Sequence, residues 1–233
     1  MSGEFGFDEF VDYLTFIFKE RSDLASVGSV NFFQVWVNMA YRQMTTRNRF
    51  WGLRKNFYFP ELEVVDTSLT TTDGTATLTT PTDTLVIRHC FDETNNRYIE
   101  PITWERYLRY EDRDDTSAEG EPDEWVRSET KIYLHPTPDT TGDSIYVYYR
   151  KIPAELTTTG KTVIDAAWDE PIIHLAAYKG FMYLGEYDKA LKHKEEFLEL
   201  VSSLIGTYDS EQRAANVIAK PHPFMTAGFF KGR

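Results

Sequence analysis

The 233-residue chain contains one cysteine, Cys90, and has no apolar run long enough to cross a membrane. A single thiol excludes a disulfide framework within the chain and a thiolate zinc site built from it alone. Since a spanning helix needs about 20 consecutive apolar residues, no transmembrane segment is predicted. The first residues show no basic region followed by an apolar run, so no secretory signal is predicted. A reducing, cytosolic site of synthesis fits these absences.

Positive charge is also scarce, with 25 Lys and Arg against 37 Asp and Glu and a net charge of −12. A broad basic face for duplex phosphates requires clustered cations, so that mode of DNA binding is excluded. Hydrophobic residues make up 41% of the chain, enough for an extensive core. Aromatic residues reach 15%, which indicates either an aromatic core or large buried interfaces.

Two amphipathic helices are predicted in the first quarter of the chain. The first opens at Asp8 or Glu9, and the second covers about residues 31–49. The second ends in a basic cluster, interpreted as a solvated helix end or as a contact for an acidic partner subunit. The predicted apolar faces are Phe10, Val11, Leu14, Ile17 and Phe18 in the first helix, and Phe33, Val37, Ala40, Tyr41 and Met44 in the second. The basic cluster comprises Arg42, Arg47, Arg49, Arg54 and Lys55.

The middle of the chain favours strands and turns. A buried strand is predicted over residues 85–91, a return strand over 97–102 and a short helix over 103–109. The two alternating segments 130–135 and 144–151 predict a hairpin joined by a turn. Eight carboxylates against one arginine predict that residues 111–124 form an exposed acidic loop.

Helical periodicity returns after Pro153. Asp169 is predicted to cap a helix that has Pro171 in its first turn, and Gly185 is predicted to break it. A long amphipathic helix follows from Tyr187. The predicted apolar face of the first of these helices is Ile172, Ile173, Ala176, Ala177, Phe181 and Leu184. That of the second is Ala190, Leu191, Lys194, Phe197, Leu198, Val201, Leu204 and Ile205.

The order of elements predicts an α+β fold in three parts. N- and C-terminal helices, over residues 1–56 and 153–206, form a helical bundle. A central antiparallel β-rich region, 57–152, is inserted between them. Residues 207–233 form an extended C-terminal arm.

The arm is the predicted partner-binding segment, because disordered tails seldom carry so many apolar anchors. It is interpreted as docking on a neighbouring subunit or a partner ring. The alternative is a tail folded back on its own bundle. The proposed contact residues are Phe224, Met225, Phe229, Phe230, Lys231 and Arg233.

No catalytic or cofactor motif is found, so neither an enzyme nor a cofactor is predicted. His193 and Glu196 lie one helical turn apart, as do Glu170 and His174. Paired helices with Glu and His can bind metals, but further inward carboxylates are missing and these residues are assigned to polar faces. No metal site is therefore predicted. Cys90 is interpreted as a packing residue, because His89 beside it points to the opposite face of a strand.

Three segments carry a family resemblance. Residues 37–44 contain an N-x-A-Y-R helix sequence, followed by Phe50 and Trp51. Residues 132–138 contain I-x-L-x-P-x-P, residues 145–156 look like the pattern V-x-Y-Y-R-x-P-x-x-L, and residues 167–179 are similar to a loop entering a core helix. Over roughly residues 29–205 the chain resembles the head-to-tail adaptor proteins of tailed bacteriophages.

The resemblance implies a virion structural protein that forms a ring, expected to be a dodecamer, beneath the portal protein. It also implies contact with a tail or stopper protein, and genomic DNA that passes through the lumen without specific binding. Two alternatives stay open: another virion component, such as a tail-completion or tube-terminating protein, and a small-ligand enzyme of mixed α and β type.

Overall fold

A computed structural model of the protein describes residues 5–19, 21, 24, 31–46, 59–111, 118–157 and 160–218. The chain divides into two compact units, Met1–Phe57 with Leu156–Arg233, and Tyr58–Glu155. The described helices are α1 (Phe7–Ile17), α2 (Phe32–Thr46), α3 (Trp104–Glu111), α4 (Asp169–Leu184) and α5 (Tyr187–Ile218). The described strands are β1 (Glu63–Thr70), β2 (Thr77–Thr79), β3 (Thr84–Asp92), β4 (Arg97–Pro101), β5 (Glu124–Ser128), β6 (Lys131–His135) and β7 (Ser144–Lys151).

The mixed α and β class predicted from the sequence is confirmed, whereas the bundle arrangement of the helices stays a prediction. In the first unit, α4 is the helix against which the others pack. Gly180 in α4 lies against Phe18 and Trp36, which allows these aromatic rings to approach its backbone. Phe18 also packs on Phe181, with ring centroids 4.4 Å apart.

The predicted apolar faces of α1, α2 and α4 largely coincide with the buried residues. In α1, Phe10 and Leu14 are buried, and Phe18 is buried just beyond its end. The face of α5 is only partly correct, because Leu191 is exposed while Ala190, Phe197 and Val201 are buried. Helices α4 and α5 are joined at Gly185, whose φ of 76° lies in the left-handed region that favours glycine.

Asp169 differs from its predicted role as a helix cap. Helix α4 begins at Asp169 itself, and its preceding residue provides no side-chain cap. The buried carboxylate instead accepts hydrogen bonds from the backbone N–H of Phe5 at 3.0 Å and from the hydroxyl of Thr162 at 2.9 Å. It therefore connects the start of the described chain to α4.

The predicted extended arm is wrong in its first part, because α5 continues to Ile218. Residues 207–218 are helical, and nothing in the sequence before Pro221 forces the helix to end. The remaining residues of the arm, 219–233, lie outside the described residues.

In the second unit, the seven strands form one sheet in the order β1-β7-β3-β4-β5-β6-β2. Every strand contributes to a single apolar core, from Leu78 in an edge strand to Ile145 in a central one, so the sheet curls around that core. The pair β4 and β5 is parallel, which differs from the antiparallel pairing predicted for this region.

The predicted hairpin has the right strands and the wrong pairing. The strands β6 and β7 form as the alternation predicts, but β6 pairs with β2 and β5, while β7 pairs with β1 and β3. Within β7, Ile145, Val147 and Tyr149 share a buried face. In β3, Val86 is exposed although the sequence suggested burial.

Part of the predicted acidic loop is also ordered structure. Residues 112–117 lie outside the described residues. Beyond them, Glu119 forms a parallel bridge with Thr137. Glu124 is buried in β5, where its carboxylate accepts hydrogen bonds from Arg106 and from the Tyr110 hydroxyl. This end of the segment is thus tied to α3 and to the sheet rather than solvated.

Candidate interaction surfaces and a histidine–glutamate cluster

Four exposed apolar side chains lie close together in the sequence on either side of the turn between α4 and α5. The junction patch consists of Met182, Tyr183, Tyr187 and Leu191. Tyr183 is 63% exposed and Leu191 is 51% exposed. Because Tyr187 and Leu191 are four residues apart on a helix, their side chains lie on the same face. Single exposed hydrophobic residues are ordinary, but contiguous ones mark interaction surfaces.

Aromatic side chains of α2 hold part of the junction patch in place. The ring of Tyr183 packs against Phe32, with centroids 5.3 Å apart, and lies near Trp36 at 6.0 Å. These contacts join the exposed tyrosine to the aromatic core of α2. A side chain held in place before binding loses less conformational entropy when a partner covers it.

A second open surface lies on the sheet unit. The ring of His89 packs against that of Tyr148 at a tilt, with centroids 4.3 Å apart, and Arg88 forms a salt bridge of 3.0 Å with Glu63. Burial lowers the pKa of His89 from its ordinary value, and Arg88 lowers it further against the opposing effect of Glu63. The lowered pKa favours the neutral form of this histidine, which lies beside the ion pair.

The sequence-predicted partner residues of the C-terminal arm, from Phe224 to Arg233, lie outside the described residues. The basic cluster at the end of the second helix is mostly outside them too. Its one described member, Arg42, is exposed on α2.

Cys90 is fully buried in the sheet core, opposite the face that carries His89. Burial raises the pKa of its thiol well above the ordinary value, so it is not a thiolate nucleophile. The prediction that Cys90 is a packing residue is confirmed.

The structure does not place the two histidines on the solvated polar faces to which the sequence assigned them. His174 of α4 and His193 of α5 are partly buried and face each other, with Nδ1 atoms 3.0 Å apart. Oε2 of Glu196 lies 3.0 Å from Nδ1 of His174 and 3.1 Å from Nδ1 of His193. Within the described part of the chain, this is the one group of three His, Cys, Asp or Glu side chains whose potential metal-ligand atoms converge. Glu170, paired with His174 in the sequence, is exposed and does not join it.

The cluster is held in place by its neighbours. The ring of Phe181 stacks on His193, with centroids 5.4 Å apart and planes within 8°. His193 also lines a cavity of about 280 Å³ together with Phe18, Phe181 and Lys189. Burial lowers the pKa of His193, and His174 and Lys192 lower it further, while Glu196 raises it. The lowered pKa favours the neutral imidazole, in which one ring nitrogen carries a free lone pair.

Sequence reasoning missed this cluster because only its short-range part is visible in the sequence. The spacing of His193 and Glu196 places them one turn apart on α5. The third member, His174, is brought to them by the turn at Gly185, which reverses the chain between the two helices.

Among the helices that the structure describes, we find no candidate for a membrane-spanning segment.

Comparison with known proteins gives one family. A family model described as SU10 adaptor protein matches residues 11–220. That range includes most of the helical unit and the whole sheet unit. No curated protein matches the chain.

Proposed function

Because this chain belongs to the SU10 adaptor protein family, a family of phage head-to-tail adaptors, we propose that its copies form a ring beneath the portal of the virion. The ring connects the capsid to the tail, and a tail or stopper protein binds its other side. Twelve copies would match the expected symmetry of the portal. The family match over residues 11–220 is the observation that carries this proposal.

The junction patch supports contacts between copies. A ring requires heterologous interfaces, in which one surface of each copy meets a different surface of the next. Tyr183, Tyr187 and Leu191 offer an apolar surface with aromatic side chains, the composition enriched at such interfaces. The proposed occupant of the junction patch is a second copy of this chain.

The charge of the chain supports passage of DNA without specific binding. Each copy carries a net charge of −12, so a ring of many copies is strongly acidic. An acidic wall repels phosphates and does not retain a strand that moves past it.

The ring is tested on the purified full chain by native mass spectrometry and negative-stain microscopy. We expect one closed cyclic species, alone or on addition of a purified portal ring. The double substitution Tyr187→Ser and Leu191→Ser should shift the protein towards monomer. The control Val86→Ser, at a comparably exposed position on the sheet, should leave assembly unchanged.

A protein that stays monomeric both alone and with portal would contradict the ring. The partner is tested separately, by pull-down with portal rings and with tail tubes. Retention on the tube and not on the portal would instead indicate a tail-completion or tube-terminating protein.

A further inference from the structure

The convergence of His174, His193 and Glu196 has the dimensions of a metal site. Their three ligand atoms form a nearly equilateral triangle with sides of 3.0, 3.0 and 3.1 Å. Bonds of about 2.0–2.1 Å from zinc to nitrogen or oxygen place neighbouring ligand atoms roughly 3 Å apart. One ion can therefore contact all three atoms.

Hydrogen bonding satisfies this triangle of atoms only in part. A proton on one Nδ1 accounts for the contact between the two rings. The other ring and Oε2 of Glu196, an oxygen shielded from solvent, then compete for that one proton. If both Nδ1 atoms carry protons, both N–H groups can donate to Oε2, but the two donor nitrogens are then held only 3.0 Å apart. A cation between the three atoms provides each of them with a partner.

The ligand chemistry selects the class of metal. Two imidazole nitrogens and one carboxylate oxygen suit a divalent transition metal and not calcium or magnesium, which take oxygen ligands. Two histidines and one glutamate are a known zinc ligand set that leaves a position open for water or another donor. The neighbouring Lys192 is largely solvated, and its Nζ lies 3.9 Å from the other carboxylate oxygen.

We propose that His174, His193 and Glu196 bind one Zn²⁺ ion that joins α4 to α5. Two ligands come from α5 and one from α4, so the ion crosslinks the two helices on either side of Gly185. The fourth coordination position is available to water or to a donor group from another molecule. The proposal does not depend on ring formation, since all three ligands belong to one chain.

Zinc binding is tested with the tag-free full chain after removal of metal by a chelator. Competition with a chromophoric zinc chelator should give one Zn²⁺ per chain. Addition of one equivalent should raise the melting temperature, because an ion that binds only the folded state stabilises it. Cobalt substitution should give visible absorption bands that change in His193→Gln.

Two isosteric variants separate the site from general surface binding. Glu196→Gln removes the charged ligand and should weaken zinc binding by at least about tenfold. Glu195→Gln removes the same charge one residue away, at an exposed position, and should bind zinc like the unaltered chain. Circular dichroism establishes that each variant is folded. Binding of less than one ion per chain at saturation, or equal zinc affinity in the two variants, would overturn the proposal.

Discussion

At the residue scale, Asp169 is a buried carboxylate whose two oxygens each accept a hydrogen bond. Oδ2 accepts from Phe5 and Oδ1 from Thr162. We expect Asp169→Ala to lower the free energy of unfolding by about 2–3 kcal/mol, because it leaves both donors without this partner. Urea denaturation monitored by circular dichroism measures the change.

The neighbouring Glu170 is a matched control for Asp169. It lies in the same helical turn and carries the same charge, but it is exposed. Glu170→Ala should change the free energy of unfolding by no more than about 0.5 kcal/mol. Similar losses in both variants would mean that charge at the start of α4, and not the buried hydrogen bonds, sets the stability.

At the element scale, the contact between α4 and the aromatic residues of the first unit depends on Gly180. A Cβ atom at this position would lie 2.7 Å from Cζ3 of Trp36 and would also meet the ring of Phe18. We expect Gly180→Ala to lower the free energy of unfolding by about 1–3 kcal/mol, because rings packed on one another cannot move aside freely. Thermal and urea unfolding measure this loss.

Gly206 provides the opposite case within α5. A Cβ atom there meets nothing within 4 Å. Gly206→Ala should therefore raise the free energy of unfolding by about 0.5–1 kcal/mol through helix propensity alone. If Gly180→Ala stabilised the protein to the same extent, the close packing of α4 described above would be wrong.

The elements themselves were predictable where the signal is local. Alternation along β7 and the apolar periodicity of α4 depend on neighbouring residues, and both predictions are confirmed. Strand pairing is not local. The connection 136–143 is longer than common hairpin loops, so it does not hold β6 beside β7, and each strand takes other partners.

The same limit explains the end of α5 and the histidine–glutamate cluster. The apolar stripe of α5 fades after Ile205, but a polar helix can continue until a proline or another stop signal ends it. The cluster needs residues from two helices, and their approach depends on the turn at Gly185 and on the packing of both helices. Neither is readable from the spacing of His193 and Glu196 alone.

At the scale of the whole molecule, the net charge of −12 opposes the assembly proposed above. Like charges on neighbouring copies repel one another, and salt screens this repulsion while leaving apolar contacts intact. We expect the fraction of chain in the ring to rise between 50 mM and about 500 mM sodium chloride, where the Debye length shortens several-fold. Sedimentation velocity measures that fraction.

The salt response also identifies the forces at the subunit interface. A ring that dissociates as salt increases would show that ion pairs, and not the apolar junction patch, hold the copies together. Sodium sulfate should promote assembly as well, because it strengthens the burial of apolar surface.

The position of Cys90 has a practical consequence for such measurements. The chain has no other thiol, and this one is fully buried with its pKa raised. Maleimide dyes react with exposed thiolates, so we expect the native protein to react with them very slowly. A cysteine introduced at an exposed position would then carry the fluorophore alone, and energy transfer between labelled copies would report their spacing in the ring proposed above.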